Sequence, residues 1–173
     1  MKEKKPTSHF VAAVIIAAVM IIYSMALYFL DLSANRALPW LGYLLMVVLL
    51  IVFINMYGNA KNNEVSFGGL FSYGFKATAL ISLILPVFSY VFFLAFPEIK
   101  EKIFEMTRKG MEEQGKSSDE QIEQAITFMR DKFVLLFILL PILFYVFIGC
   151  IGSLIGAAVT KKKPVNPFTQ GGM

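Results

Sequence analysis

The side chains able to do chemistry are few, and the sequence keeps them apart. His9 is the only histidine and Cys150 the only cysteine. A nucleophilic thiol needs a base within hydrogen-bond reach. Yet His9 heads the first apolar block and Cys150 lies inside the last. One cysteine makes no intrachain disulfide, and one histidine completes no metal set with it. Carboxylate pairs such as Glu112 and Glu113 have no His or Asp beside them to finish a cation site. The stretch Ser66-Phe67-Gly68-Gly69-Leu70-Phe71, with Lys76 behind it, raises phosphate binding. A phosphate loop needs its glycines between a strand and a helix, with a lysine and a Ser/Thr at fixed offsets. No strand pattern precedes Gly68. The expectation is no catalytic residue, no metal and no cofactor, in a protein that is not an enzyme.

The elements that carry these residues follow from composition. The 173 residues are 57% hydrophobic and 14% aromatic, against about 45–50% apolar in a typical soluble domain. The excess is concentrated in four uncharged blocks, Phe10–Leu30, Leu38–Tyr57, Ala77–Phe96 and Phe133–Thr160. About 20 apolar residues in a helix cross the roughly 30 Å of bilayer hydrocarbon. The fold class expected is all-α integral membrane, a single domain over 1–173. Its four transmembrane helices lie at about 10–30, 39–57, 76–96 and 133–160, with an extramembrane helical hairpin at 98–132 between spans three and four. The first block follows Lys2, Lys4 and Lys5, as a secretory signal would. It is longer than a signal core of about 7–15 residues, so it reads as a retained anchor. Residues 164–173 hold Pro, Gly and Asn without periodicity and read as a mobile tail.

Periodicity refines three regions. Phe67, Leu70, Phe71, Gly74 and Phe75 fall on one helical face. Ser66 stands where an N-cap should, after turn-forming Asn62-Asn63. The third helix therefore starts near residue 66, ahead of its hydrocarbon-spanning part. Residues 66–75, with Phe67, Leu70, Phe71 and Phe75, form an interfacial segment from which Lys76 snorkels. In the hairpin, Ile99, Ile103 and Met106 face Ile122, Ile126 and Met129, either as a cap over the bundle or as a surface for a periplasmic partner. Gly115 ends the first hairpin helix. Ser118 and Gln121 form a capping box for the second, which reads as continuous with the fourth span. Within the membrane, Pro86 and Pro141 should kink their helices. Gly149, Gly152, Ser153 and Gly156 make a small-residue packing face, within the chain or against a second copy.

Charge gives orientation. Lysines 2, 4 and 5 precede the first span and lysines 161–163 follow the last, so both termini are expected in the cytoplasm. Arg36 stands alone in the first loop. The hairpin holds nine acids against seven bases, which names no partner. Tyr28, Trp40, Tyr57 and Tyr73 fall near span ends, at headgroup level.

Ser66-Phe67-Gly68 … Phe71-x-Tyr73-Gly74 at the start of the third span, Pro97-Glu98 at its end, the acidic hairpin, and Ile151-Gly152-Ser153-Leu154-Ile155-Gly156-Ala157-Ala158 before a lysine cluster form one pattern. It resembles the domain-of-unknown-function 4199 family of Bacteroidota membranes. The resemblance covers nearly the whole chain. It implies a four-span protein of the bacterial inner membrane and carries over no catalytic residue. No charge lies in the middle of any span, which disfavours a proton-coupled pump. The function expected is a structural or interaction subunit of a membrane assembly. The alternative is a small-solute transporter or channel acting as an oligomer, with a polar cavity lined by groups such as Ser82, Ser89 or Tyr90. The expected partners are the lipid bilayer, a membrane or periplasmic protein, or a second copy, and no nucleic acid. The terminal lysines serve as topology determinants or, in a third reading, hold anionic headgroups.

Overall fold

The computed structural model describes residues 6–30, 32 and 37–163. Lys2, Lys4, Lys5, Arg36 and the 164–173 tail lie outside the described residues. Among the described residues six α-helices follow one another: α1 His9–Phe29, α2 Leu38–Ala60, α3 Phe67–Ala95, α4 Glu98–Gln114, α5 Asp119–Asp131 and α6 Leu140–Val159. A π-helical turn, Leu135–Leu139, leads into α6. No strand occurs among the described residues. Four stretches are long and apolar enough to cross a membrane: His9–Phe29, Trp40–Ala60, Phe67–Ala95 and Leu135–Val159, with mean hydropathy of 2.2 to 2.7.

The chain forms two compact units, residues 1–82 with 145–173, and residues 83–144. In the first, α1 buries Ala12, Ala13, Ile16, Ala17 and Met20 along one stripe, while Phe10, Val14, Ile15 and Ile22 stay exposed on the rest. A helix apolar all round has no face suited to water. The exposed apolar side is compatible with a lipid environment. With 29 residues, α3 is about 43 Å long at 1.5 Å per residue, more than the hydrocarbon needs.

Polar caps mark the helix ends that meet in this unit. Ser8 Oγ accepts from the Val11 N–H at 3.2 Å, and Ser66 Oγ accepts from the Gly69 N–H at 3.2 Å. Between α2 and α3 the chain reverses through Asn62 and Asn63, both left-handed with φ of 55° and 62°. Asparagine tolerates that region better than most residues because its short polar side chain bonds locally. The Asn63 N–H returns to the Gly58 carbonyl at 2.8 Å, and the Lys163 N–H donates to the Asn63 carbonyl at 2.8 Å, pinning the end of α6 to this turn. Of the interfacial set, Phe67 and Phe75 are exposed and Phe71 half-buried. Leu70, at the same level, is fully buried and faces a neighbouring helix, with Gly58 on α2 beside it.

In the second unit α4 and α5 run antiparallel. Arg108 pairs with Glu123, and Arg130 with Glu101. Gly115 takes φ +60° as the left-handed stop of α4. Both bonds of the Ser118/Gln121 capping box are present. The core is Phe104, Ile122, Ile126 and Phe133, with Phe93, Met111, Met129 and Phe137 packed against it. Phe104 thus holds the place expected for Ile103 and Met106, which are half-buried. Its ring buries more apolar area than either. A correction concerns the join to α6. The α5 helix stops at Asp131, a turn follows at Lys132, and the π turn precedes α6. Pro141 explains the wide turn. It has no N–H for the carbonyl four residues back and its ring crowds that carbonyl. Just ahead of it the Leu140 N–H reaches the Leu135 carbonyl, five residues back.

Candidate functional site

Two open recesses in the first unit bring polar side chains together. One is a recess of about 480 Å³ where α1 begins, α2 ends and α3 begins. Its wall is a pair of tyrosines. Tyr57 and Tyr73 stack with centroids 4.2 Å apart and an interplanar angle of 12°. Tyr73 is buried and donates its hydroxyl to the Thr7 carbonyl at 3.0 Å, which ties the segment ahead of α1 to α3. His9 stands edge-on to Tyr73, with centroids 6.5 Å apart. Lys61 and Lys76, both exposed, complete the rim together with Ser8 and Ser72. The charge here is one-sided. Among the described residues of this unit, Glu64 is the only acid, and Lys61, Lys76, Lys161, Lys162 and Lys163 are the bases. Lys162 is engaged at the end of α6, where it donates to the Ala157 carbonyl at 2.7 Å and lies over the Phe67 ring at 5.2 Å.

The second recess, of about 230 Å³, lies among α1, α2 and α6. Tyr23, Ser24, Gly42, Tyr43 and Tyr145 line it. Tyr23 donates to the Leu38 carbonyl at 2.7 Å and Ser24 to the Met20 carbonyl at 2.9 Å. The Tyr43 and Tyr145 rings are 5.6 Å apart. Neither recess is lined by Ser82, Ser89 or Tyr90. Ser82 is buried and donates to its own helix at Ala79, as hydroxyls in apolar helices commonly do.

The small-residue face of α6 meets α2 and α3 of the same chain. A Cβ on Gly149 would lie 2.9 Å from Thr78 Cβ. One on Gly156 would lie 2.6 Å from Ile54 Cδ1 and 3.3 Å from the Ile51 Cα. Gly152 faces Val47 and Leu50 at 3.4–3.5 Å, and Ser153 faces Gly74. Ser153 and Thr160 donate to the carbonyls of Gly149 and Gly156, each at 2.7 Å. Thr78 is buried and its hydroxyl has no partner.

The remaining residues singled out from sequence are dispersed. Pro86 is buried inside α3, which runs through it without a break, and Pro141 follows the π turn. Ile99, Ile122 and Ile126 are buried, so they form no open partner surface. Cys150 is half-buried in the middle of α6. Among the described residues no three of His, Cys, Asp and Glu gather to hold a metal. The sequence reading missed the meeting of His9, Lys61, Tyr73 and Lys76. The signal was the span count, which puts the start of the first span, the end of the second and the start of the third on one side.

The family described as "Protein of unknown function (DUF4199)" matches residues 12–162. No curated protein and no solved structure matches the chain.

Proposed function

Since the chain belongs to this family of unknown function, we propose that it is a small inner-membrane protein without catalytic activity, serving as a structural or interaction subunit of a membrane assembly. The observation that carries this reading is the α4–α5 pair. It has its own apolar core, and its outer face is charged. Charges are expensive in hydrocarbon, so the pair stands outside the membrane as an extramembrane hairpin. On that charged surface Phe128 is 54% exposed. An aromatic ring among polar neighbours is a common anchor at protein interfaces. Lysines 2, 4 and 5 ahead of the first span in the sequence and lysines 161–163 after the last support a cytoplasmic position for both termini. The test is mild-detergent purification with mass spectrometry of what accompanies the protein. A stoichiometric protein partner, lost on Phe128→Ser while the melting temperature holds, supports the reading. A solitary homo-oligomer that retains only lipid overturns it.

The 230 Å³ recess favours the second reading, a small-solute transporter or channel acting as an oligomer. Its hydroxyls give a partly polar lining in an otherwise apolar bundle. Solute flux in proteoliposomes, abolished by Gly42→Leu, would establish that reading. Absence of flux across a panel of small solutes would remove it.

A further inference from the structure

We propose that the recess among α1, α2 and α3 binds a phosphate group, presented by the headgroup of an anionic phospholipid. The argument begins with charge. Lys61, in the turn that ends α2, and Lys76, on α3, meet at one rim, and His9 adds a third nitrogen-bearing group. Among the described residues neither lysine has a carboxylate partner, and Glu64, the nearest acid in sequence, does not line the recess. Two lysines on one rim without an acid leave a positive patch that attracts an anion. A phosphate oxyanion in the recess would accept hydrogen bonds from both.

The neutral lining suits the same guest. Ser8 and Ser72 bring hydroxyl donors, and the α1 N-terminus opens at this rim, its N–H groups favouring negative charge. The stacked tyrosines hold the wall rigid, and the Tyr73 bond to Thr7 fixes the strap beneath His9. At about 480 Å³, the volume falls within the range of small-molecule pockets, roughly 300–1,000 Å³. Position decides the source. The recess lies at the ends of three apolar spans, where headgroup phosphates reside and acyl chains can follow the exposed flanks of α1. This is no nucleotide loop: the contacts come from side chains on three helices, and no strand leads into Gly68. The inference rests on the membrane reading and is independent of the subunit reading.

The test uses the full chain in nanodiscs, with native mass spectrometry of retained lipid. Wild type should retain phosphatidylglycerol over phosphatidylcholine by roughly thirtyfold, from two lysines near one anionic group. Lys61→Gln with Lys76→Gln should abolish the preference, and Lys61→Arg with Lys76→Arg should keep it. Lys116→Gln, on the hairpin, should change nothing. Melting temperatures follow each variant, and the arginine pair keeps the test decisive if the glutamine pair fails to fold. No preference in wild type overturns the proposal. So does a preference that survives the glutamine pair but disappears with Lys161, Lys162 and Lys163 changed to Gln, because that is diffuse attraction. A second arm titrates inorganic phosphate into protein in phosphatidylcholine discs. Saturable binding there, lost in the glutamine pair and without lipid preference, overturns the lipid source and assigns the recess to a soluble phosphate.

Discussion

A methyl group at Gly149 has nowhere to go, because Thr78 is itself enclosed at 1% exposure. Gly149→Ala should therefore cost about 1–3 kcal/mol, as overpacking does. Gly156→Ala should cost somewhat less, because only the tip of the buried Ile54 side chain comes under 3 Å of the new methyl, with the Ile51 Cα at 3.3 Å, whereas three Thr78 atoms crowd the one at Gly149. Gly152→Ala should be close to neutral, its neighbours standing at ordinary contact distance. Thermal melting in detergent should rank the three in that order, and equal losses would refute the seam as described. Thr78→Val keeps the shape and deletes the unpaired hydroxyl. It should stabilise by about 1 kcal/mol, the scale of an unsatisfied buried polar group, and a lowered melting temperature would show that the hydroxyl has a partner after all. The small-residue spacing on α6 was legible in the sequence. Its opposite numbers were not, because periodicity gives the face of a helix and says nothing of which neighbour lies across it.

The α4–α5 hairpin shows what element-level reading captures. Gly115 and the Ser118/Gln121 box were readable because stops and caps are local chemistry. Ser118→Ala should cost about 1 kcal/mol, and amide exchange should then quicken in the first turn of α5. Exchange unchanged there would deny the box its role. The packing face was read less well. Phe104 lies one residue beyond Ile103, and on a helix one residue is a rotation of about 100°. A stripe chosen from the aliphatic residues alone therefore missed the ring that fills the core. The π turn was also illegible, since nothing in the composition of Leu135–Leu139 marks it. Proline announces a disruption but not which register absorbs it. Outside the core, the Arg108 guanidinium is held above its ordinary value by its hydrogen bond to Glu123 and then by that carboxylate's charge. A raised pKa contributes in full below the ordinary value and is lost as pH rises from there through the raised one. The arginine side of this pair thus gives no pH dependence near neutrality.

At the scale of the whole molecule, the four apolar helices were fully legible, because block length and absence of charge are bulk properties. The basic end was legible only in part. Lysines were countable, but which of them share a recess depends on the heights at which α1, α2 and α3 begin and end. Single cysteines placed at Glu113 and at Lys163 should label from opposite sides of sealed vesicles, with Glu113 reached from outside. Labelling of both from one side would overturn the proposed topology. The seam between α6 and its neighbours also bears on biogenesis. Of the four spans α6 is the last to leave the ribosome, yet Gly149, Gly152 and Gly156 fill the groove that α2 and α3 present. The first three helices must wait in the bilayer with that groove unfilled until translation reaches α6. A chain stalled or clipped before Leu140 would keep it open.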